Sequence, residues 1–322
     1  MTSTVLILGA AGRLGQVLAR AFADAGWQVR AQARKPLPDA LAGHARVRRV
    51  ACDALDLVAL RDAAQGAAVV VNALNPPYTE WDRLALPLAD AGLAVARAAG
   101  ALLMYPGNVY NFGSALPPLL TPATPEQGNT PKARTRIEAE ARLAAAHDVD
   151  SVVIRAGDFF GGPGRGSWFD LGLASRIDKG VFVYPGPLGL AHAWAYLPDL
   201  AQAFVRLAAR RAQLCGPHRF HFAGHTVTGL QMHDAMEQAA GRPLKPGQLP
   251  WGLIRLASPF VASWRELLVM RYLWMRPHAL VDAELERLTG PLPQTPLPQA
   301  LRAALDLLAA PTATLGVAAG RA

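Results

Sequence analysis

The chain has 322 residues, enough for two ordinary domains or for one large α/β domain with an extension. Hydrophobic residues make up 52% of it and charged residues only 17%, which provides a sizeable core and excludes wholesale disorder. Lysine and arginine number 32 against 24 acidic residues, giving a formal net charge of +8. The basic residues are scattered along the chain, which argues against a dedicated nucleic-acid surface and fits small anionic ligands better.

The cysteines and the apolar segments indicate the expected compartment. Cys52 and Cys215 are far apart and form no CxxC motif, so neither a disulfide scaffold nor a zinc-thiolate site is indicated. The first residues lack the basic region of a signal peptide, and proline, glycine and asparagine interrupt every long apolar stretch. We therefore expect a soluble cytoplasmic protein that binds neither membranes nor nucleic acid.

The first half of the chain alternates strand-like and helix-like segments. Short apolar runs predict buried parallel strands, and apolar residues at helical spacing predict the helices between them. The predicted strands are residues 5–8, 28–33, 46–51, 68–72, 101–105 and 151–155. The predicted helices are residues 13–25, 56–65, 81–99 and 132–147. This alternation with short loops predicts an α/β fold with a doubly wound parallel sheet covered by helices on both faces.

The character of the sequence changes after residue 156. Glycine- and proline-rich stretches suggest loops that close over a site, and helices are predicted at residues 199–213 and 229–240, followed by a mostly helical segment at 251–290. We divide the chain into three parts: residues 1–156 as the α/β domain, 157–310 as a smaller, mostly helical C-terminal lobe with some segments returning to the first domain, and 311–322 as a flexible tail.

The sharpest motif is a glycine-rich turn, GAAGRLG at residues 9–15, between the first strand and the first helix. A helix N-terminus offers unsatisfied N–H groups and the positive end of a dipole to a diphosphate. Side chains at the first two glycines would obstruct the turn, and the third glycine lets the helix pack closely on the sheet. The turn therefore predicts a dinucleotide-binding site. Its candidate contact residues are Gly9, Ala11, Gly12, Arg13, Leu14 and Gly15.

The end of the second strand bears on the kind of dinucleotide. A carboxylate there usually holds a free ribose 2′-hydroxyl, whereas a 2′-phosphate calls for an arginine. No acidic residue occurs before Asp39, and Arg34 and Lys35 occupy the expected place, with Arg13 as a third cation in the glycine-rich turn. The sequence favours NADP and leaves NAD open, since Arg34 and Lys35 are also typical of a solvated loop.

These features together resemble the short-chain dehydrogenase/reductase superfamily, in particular its extended and atypical NAD(P)-dependent epimerase/dehydratase-like members. The matching segments lie within residues 4–210 and are GAAGRLG at 9–15, Asp53, Asn72-Ala73, RAGDFFG at 155–161 and HAWAYLPDLA at 192–201. The resemblance implies a Rossmann domain with a substrate-binding C-terminal lobe. It also implies that Asp53 contacts the adenine and that Asn72 and Ala73 lie where the chain passes the cofactor.

The chain departs from the superfamily at the catalytic residues. The family uses a Ser or Thr after the fifth strand and a Tyr-x-x-x-Lys pair on the next helix, in which the lysine lowers the pKa of the tyrosine. Here Asn108 stands where the hydroxyl is expected, while Lys132 takes the place of the tyrosine and Arg136 that of the lysine. The usual proton donor is therefore missing.

Three substitutes are open. Tyr110 could donate the proton while Asn108 holds the substrate carbonyl, although a buried tyrosine that bonds any convenient acceptor is equally expected. Lys132 or Arg136 could act as an electrostatic clamp on the ribose or on a developing oxyanion. Alternatively, the protein performs no hydride chemistry. The candidate catalytic residues are thus Tyr110, Asn108 and Lys132.

Histidines attract attention at two places. His218, His221 and His225 cluster in HRFHFAGH, but His218 and His221 face opposite ways on a strand, so no metal site is predicted. His192 lies in a segment that the resemblance places along the substrate cleft. The more ordinary interpretation is a loop histidine that caps the helix beginning near Asp199.

Two functions of different classes follow. The first is an NADP-binding oxidoreductase or epimerase-like enzyme of atypical short-chain type that acts on a carbonyl or hydroxyl group of a small molecule. The second is a non-catalytic NAD(P)-binding regulatory or sensor protein. The sequence names neither the substrate nor the oligomeric state, and a homodimer is among the open arrangements.

Overall fold

The computed structural model describes residues 2–309, so the tail predicted for residues 311–322 lies outside the described part. The strands, in chain order, are β1 (Thr4–Leu8), β2 (Gln28–Gln32), β3 (Val47–Val50), β4 (Val69–Asn72), β5 (Leu102–Asn108), β6 (Leu119–Leu120), β7 (Ser151–Ala156), β8 (Asp158–Phe160), β9 (Val181–Tyr184), β10 (Ala191–Tyr196), β11 (Pro217–Phe222), β12 (His225–Thr228), β13 (Lys245–Gln248) and β14 (Ala279–Leu280). Seven of them form the central sheet in the order β11-β7-β5-β4-β1-β2-β3, with every neighbouring pair parallel. The doubly wound parallel sheet is confirmed.

Helices cover the sheet. They are α1 (Arg13–Asp24), α2 (Asp39–Ala42), α3 (Leu57–Ala64), α4 (Trp81–Ala99), α5 (Pro131–Ala145), α6 (Leu197–Ala209), α7 (Gly229–Ala240), α8 (Trp251–Ala257), α9 (Ala262–Met270), α10 (Ala283–Thr289) and α11 (Leu297–Ala309). The four helices predicted in the first half are all present within two residues of their expected ends. The capping chemistry of α5 is clear, because the Thr130 hydroxyl accepts a hydrogen bond from the amide of Ala133 at 3.1 Å and Pro131 occupies the first turn.

Separate apolar layers lie on the two faces of the sheet. On one face α1 packs against α6 through a cluster that includes Leu18, Phe22 and Phe204. On the other face α3, α4 and α5 contribute residues such as Val95 and Leu143 to a second cluster. Burial of both faces explains why the central strands β1 and β4 are nearly continuous apolar runs, since neither of their faces meets water.

The seventh strand, β11, is a correction to the predicted set of six. It pairs in parallel with β7, with Pro217 opposite Ser151 and Phe222 opposite Ala156. Its sequence, PHRFHF, carries polar residues because β11 lies at the edge of the sheet and begins in solvent. A search for continuous apolar runs therefore does not find it.

The C-terminal part is less purely helical than predicted. It holds a three-stranded sheet in the order β12-β10-β8 and a two-stranded sheet of β13 and β9, besides helices α7 to α11. Helix α11, which packs on α7, was not predicted. Among residues 2–309, no helix is long and apolar enough to span a bilayer.

Candidate functional site

The strands of the parallel sheet end at a common edge, which we call the carboxyl edge. Register places Leu8 of β1 beside Asn72 of β4, and Asn108 of β5 beside Ala156 of β7. The segments that follow these four residues therefore lie near one another. In open α/β sheets, ligands bind in the crevice at this edge.

The glycine-rich turn that follows β1 has the geometry of a phosphate cradle. Gly9 has φ +77°, and a Cβ atom there would lie 3.0 Å from the carbonyl oxygen of Ala73. A Cβ atom at Gly15 would lie only 2.2 Å from the oxygen of Gly9, so any side chain would separate α1 from the turn. Gly12 caps α1 with extended backbone and no side-chain hydrogen bond. The first-turn amides of α1 are thus left to face an anion.

Gln32, which the sequence analysis did not single out, holds this turn in place. Its buried side-chain oxygen accepts a hydrogen bond from the amide of Gly9 at 2.8 Å. Its side-chain nitrogen donates to the carbonyl of Cys52, also at 2.8 Å. A polar residue at the buried, last position of β2 is the signal that could have identified it.

The two residues predicted to recognise the nucleoside end lie side by side. Arg34 Nη1 is 3.7 Å from Asp53 Oδ2, with side chains 77% and 53% exposed. Asp53 also accepts a hydrogen bond from the amide of Leu55 at 2.9 Å, which fixes its loop. Lys35 follows Arg34 and is exposed. The cations at the end of β2 are therefore available to a ligand phosphate.

Arg13 has a different place from the one expected. Its guanidinium forms an ion pair with the buried Asp170, which also accepts hydrogen bonds from the amides of Gly166 and Ser167 at 2.9 Å. Burial lowers the pKa of Arg13 to about 10, and its Nη2 atom is buried without a hydrogen-bond partner in the described part of the chain. Arg13 thus joins the phosphate cradle to a loop of the C-terminal part. Its guanidinium, expected as a third cation for a 2′-phosphate, is engaged by Asp170.

The structure divides the roles of Asn72 and Ala73. The Asn72 side chain donates to the carbonyl of Leu88 at 2.8 Å and is buried against Gly92 of α4, where a Cβ atom would lie 2.4 Å from its nitrogen. Its amide is therefore occupied in fixing α4. The backbone of Ala73, in contrast, directly faces Gly9 in the cradle.

Tyr110 lies in a 3-10 turn directly after β5. Asn108 Oδ1 accepts a hydrogen bond from the amide of Tyr110 at 3.0 Å, and the hydroxyls of Tyr110 and Tyr78 are 2.7 Å apart. Burial raises the pKa of Tyr110 well above its ordinary value, and the neighbouring Tyr78 and Asp158 add to the shift. This direction is opposite to the one that the family's Tyr-x-x-x-Lys pair produces, so Tyr110 is a neutral phenol.

The cations of α5 bind other partners. Lys132 is buried, forms an ion pair with Glu266, and places its Nζ 4.5 Å from the centre of the Tyr78 ring. Arg136 donates to the Tyr105 hydroxyl at 2.9 Å. These contacts leave the Tyr110 hydroxyl bonded to Tyr78 instead of to a cation.

His192 lies in β10. The ordinary interpretation, in which it caps the helix that begins near Asp199, is therefore wrong. Its Nε2 atom is 2.8 Å from Asp158 Oδ2, and the two side chains are 3% and 12% exposed. The imidazole stacks on Trp274 with ring centres 4.2 Å apart and an angle of 8°. This pairing of His192 with Asp158 was not predicted from the sequence.

The histidines of HRFHFAGH do not converge on a common point. His218 Nε2 bonds the carbonyl of Cys215 at 3.1 Å, whereas His221 Nδ1 bonds the carbonyl of Leu120 at 3.2 Å. Elsewhere in the described part, possible ligand atoms of His233, Asp234 and Glu237 lie within 4.8 Å of one another. His233 and Glu237 also bond the backbone of Leu244, so these two side chains fix a turn.

Comparison with known proteins identifies the class of this fold. A putative epimerase from Burkholderia cenocepacia has a TM-score of 0.75 and 17% identity, covering 96% of this chain and 99% of that one. The UDP-Glc/GlcNAc 4-epimerase of Campylobacter jejuni gives 0.73 and 13%, covering 95% and 98%. The Bordetella bronchiseptica enzyme WbmH in complex with NAD+ gives 0.73 and 16%, covering 96% and 99%. No curated protein matches the chain.

The chain therefore shares the fold of these epimerase structures, which agrees with the epimerase/dehydratase-like resemblance found in the sequence. Within it, residues 1–99 match the model of the NmrA-like family. That segment contains the glycine-rich turn and the end of β2 and stops before Asn108, so the match covers the predicted nucleotide-binding part and not the catalytic candidates.

Proposed function

We propose that the protein is an NADP-binding oxidoreductase of the atypical short-chain type that acts on a carbonyl or hydroxyl group of a small molecule. The observation that carries this proposal is the cradle of Gly9, Gly12 and Gly15, where a Cβ atom would lie 3.0, 3.2 and 2.2 Å from a backbone oxygen and where Gly12 caps α1 without a side-chain hydrogen bond. A bound nicotinamide dinucleotide supplies the chemistry, since it accepts or returns a hydride. The chain's own residues then bind, orient and exchange a proton.

The preference for NADP depends on the end of β2. Arg34 and Lys35 are exposed there, and a guanidinium can bind a 2′-phosphate with two parallel hydrogen bonds. Asp53 lies beside Arg34 and would contact the adenine. WbmH, whose complex contains NAD+, shares the fold, so the preference comes from these side chains and not from the fold.

We propose that the turn after β5 contacts the substrate. Tyr110 stays protonated, so its hydroxyl would donate a hydrogen bond to a substrate oxygen, with Tyr78 as the second member of the pair. Asn108 holds this turn through the Tyr110 amide. Lys132 and its partner Glu266 would close the site on the side of α9.

Calorimetric titration with NADPH and NADH tests the cradle. We expect NADPH to bind more tightly, and we expect Gly15→Ala to weaken binding at least tenfold because its new Cβ meets the backbone of Gly9. Gly252→Ala is the matched control, since a Cβ there meets nothing within 4 Å. Failure of the wild type to bind any pyridine nucleotide would remove the proposal.

Turnover separates an enzyme from a non-catalytic binding protein. The wild type should oxidise NADPH with a panel of carbonyl compounds, or reduce NADP+ with secondary alcohols that include UDP-sugars. The UDP-sugars enter the panel because a protein of the same fold is a UDP-Glc/GlcNAc 4-epimerase. Tight binding without turnover would identify a regulatory or sensor protein instead.

A further inference from the structure

Asp158 lies at the carboxyl edge, close to the catalytic candidates. It follows Ala156, the residue of β7 that pairs with Asn108, after a single glycine. Gly157 lets β10 approach, because a Cβ atom there would lie 2.1 Å from the carbonyl oxygen of Ala193. Strand β8 thus carries Asp158 from the end of β7 into the small sheet with β10, on the side of the carboxyl edge at which open α/β sheets bind ligands.

The Asp158 carboxylate has one protein partner within residues 2–309. His192 bonds Oδ2, and no lysine or arginine of the described chain pairs with either oxygen. His192 is held rigidly between Trp274, on which it stacks, and His278, whose ring centre is 4.5 Å away. Burial and the neighbouring His192 lower the pKa of His278 to about 3, so His278 is neutral at physiological pH. Oδ1 of Asp158 is left without a donor from residues 2–309.

The charge of this carboxylate acts on four tyrosines. Its negative charge contributes to raised pKa values at Tyr78, Tyr110, Tyr184 and Tyr272, each of which burial raises first. All four are therefore phenols that donate hydrogen bonds but do not give up their protons near neutral pH. The other nearby carboxylate, Glu266, is engaged by Lys132. Asp158 is thus the carboxylate of this cluster that no lysine or arginine of residues 2–309 neutralises.

We propose that Asp158 Oδ1 exchanges the substrate proton and that His192 is the residue that positions it, in place of the missing Tyr-x-x-x-Lys pair. This inference rests on the proposed oxidoreductase function. In the oxidative direction the substrate O–H bond breaks and its proton passes to Oδ1, while the C–H bond breaks and its hydride leaves to the dinucleotide. The carbon–oxygen double bond forms, the substrate loses two electrons and the dinucleotide gains them. In the reductive direction Oδ1 returns the proton.

Asp158→Asn tests the proton acceptor, because an amide keeps the shape of the carboxylate and cannot accept a proton from a hydroxyl. We expect kcat with the fastest compound of the panel to fall by about 100-fold or more. Binding of NADPH, measured by calorimetry, should stay within about twofold of the wild type, since Asp158 lies outside the phosphate cradle. Formate should partly restore the kcat of Asp158→Ala. Asp199→Asn is the matched control: it alters another secluded carboxylate, bonded by the amide and hydroxyl of Thr295, and should retain its kcat.

Two substitutions at His192 distinguish positioning from mere packing. His192→Gln keeps an N–H group that can reach Asp158 and should retain kcat within about fivefold. His192→Leu fills the space without a donor and should lose kcat at least tenfold, with KM little changed. Nitrogen-15 NMR of the His192 ring gives a readout without turnover: Nε2 should carry the proton in the wild type, and its signal should shift in Asp158→Asn.

The outcomes separate this inference from the proposed function. If Asp158→Asn keeps kcat within threefold of the wild type, or if the His192 ring signal does not respond to it, the assignment of Asp158 is wrong while the oxidoreductase proposal stands. If the wild type binds no dinucleotide or turns over no member of the panel, the proposed function fails and the assignment fails with it.

Discussion

The ion pair between Arg13 and Asp170 joins the phosphate cradle to the C-terminal part of the molecule across 157 residues of sequence. Arg13 begins the helix whose amides face the predicted diphosphate, and Asp170 closes its own loop by accepting two backbone hydrogen bonds. A loop rich in glycine, residues 161–166, is thus fastened over the cradle by one guanidinium. Breaking this contact therefore measures how much it contributes to stability.

Asp170→Asn should destabilise the protein by about 1–3 kcal/mol, because it leaves the guanidinium of Arg13 secluded without its countercharge. Urea denaturation followed by circular dichroism measures this free energy of unfolding. Asp24→Asn is the matched control, since the Arg20–Asp24 pair has side chains 56% and 50% exposed and surface pairs contribute only about 0.3–0.5 kcal/mol. Equal losses in the two variants would show that the Arg13 contact is no stronger than a surface pair.

Arg34→Ala should weaken NADPH binding by about tenfold or more and leave NADH binding nearly unchanged, because only NADPH carries the 2′-phosphate that the guanidinium would bind. Parallel calorimetric titrations give both dissociation constants. Arg48→Ala removes the same charge from an exposed position of β3 and should affect neither nucleotide. An equal loss of affinity for NADPH and NADH would show that Arg34 does not bind the 2′-phosphate.

Much of the Rossmann part follows from local sequence alone. Strands such as β1 are continuous apolar runs buried on both faces, and α4 has its predicted bounds even though Pro87 lies inside it. The glycine-rich turn carries its geometry in the sequence, since few residues other than glycine adopt φ +77° as at Gly9. Local pattern and fold agree wherever neighbours in sequence are also neighbours in space.

The substrate side could not be predicted in the same way. Asp158 and His192 are 34 residues apart on β8 and β10, and their pairing depends on a small sheet that no local pattern indicates. Lys132 meets Glu266 across 134 residues. Buried polar partners of this kind are selected by tertiary packing, so the sequence shows the individual residues without showing which of them meet.

Tyr110→Phe should lower kcat by about tenfold without abolishing turnover, because it removes a neutral hydrogen-bond donor and not the group that exchanges the proton. It should also cost about 1 kcal/mol of stability, since the secluded Tyr78 hydroxyl loses its partner. Steady-state kinetics and urea denaturation of the same preparation give both values. A kcat loss as large as that of Asp158→Asn would show that Tyr110 exchanges the substrate proton.

Stability should fall as the pH drops below about 6.5. Burial lowers the pKa of His221 to about 4, whereas the unfolded chain titrates near 6.5, so protonation in this window favours the unfolded state. The linkage from this one group is about 2 kcal/mol between pH 7 and pH 5. His221→Asn keeps an N–H group for the carbonyl of Leu120 and has no such titration, so its urea midpoint should depend less on pH. His147→Asn is the control at an exposed position, and its urea midpoint should depend on pH as strongly as that of the wild type. Identical pH slopes in all three proteins would show that His221 is not buried in its neutral form.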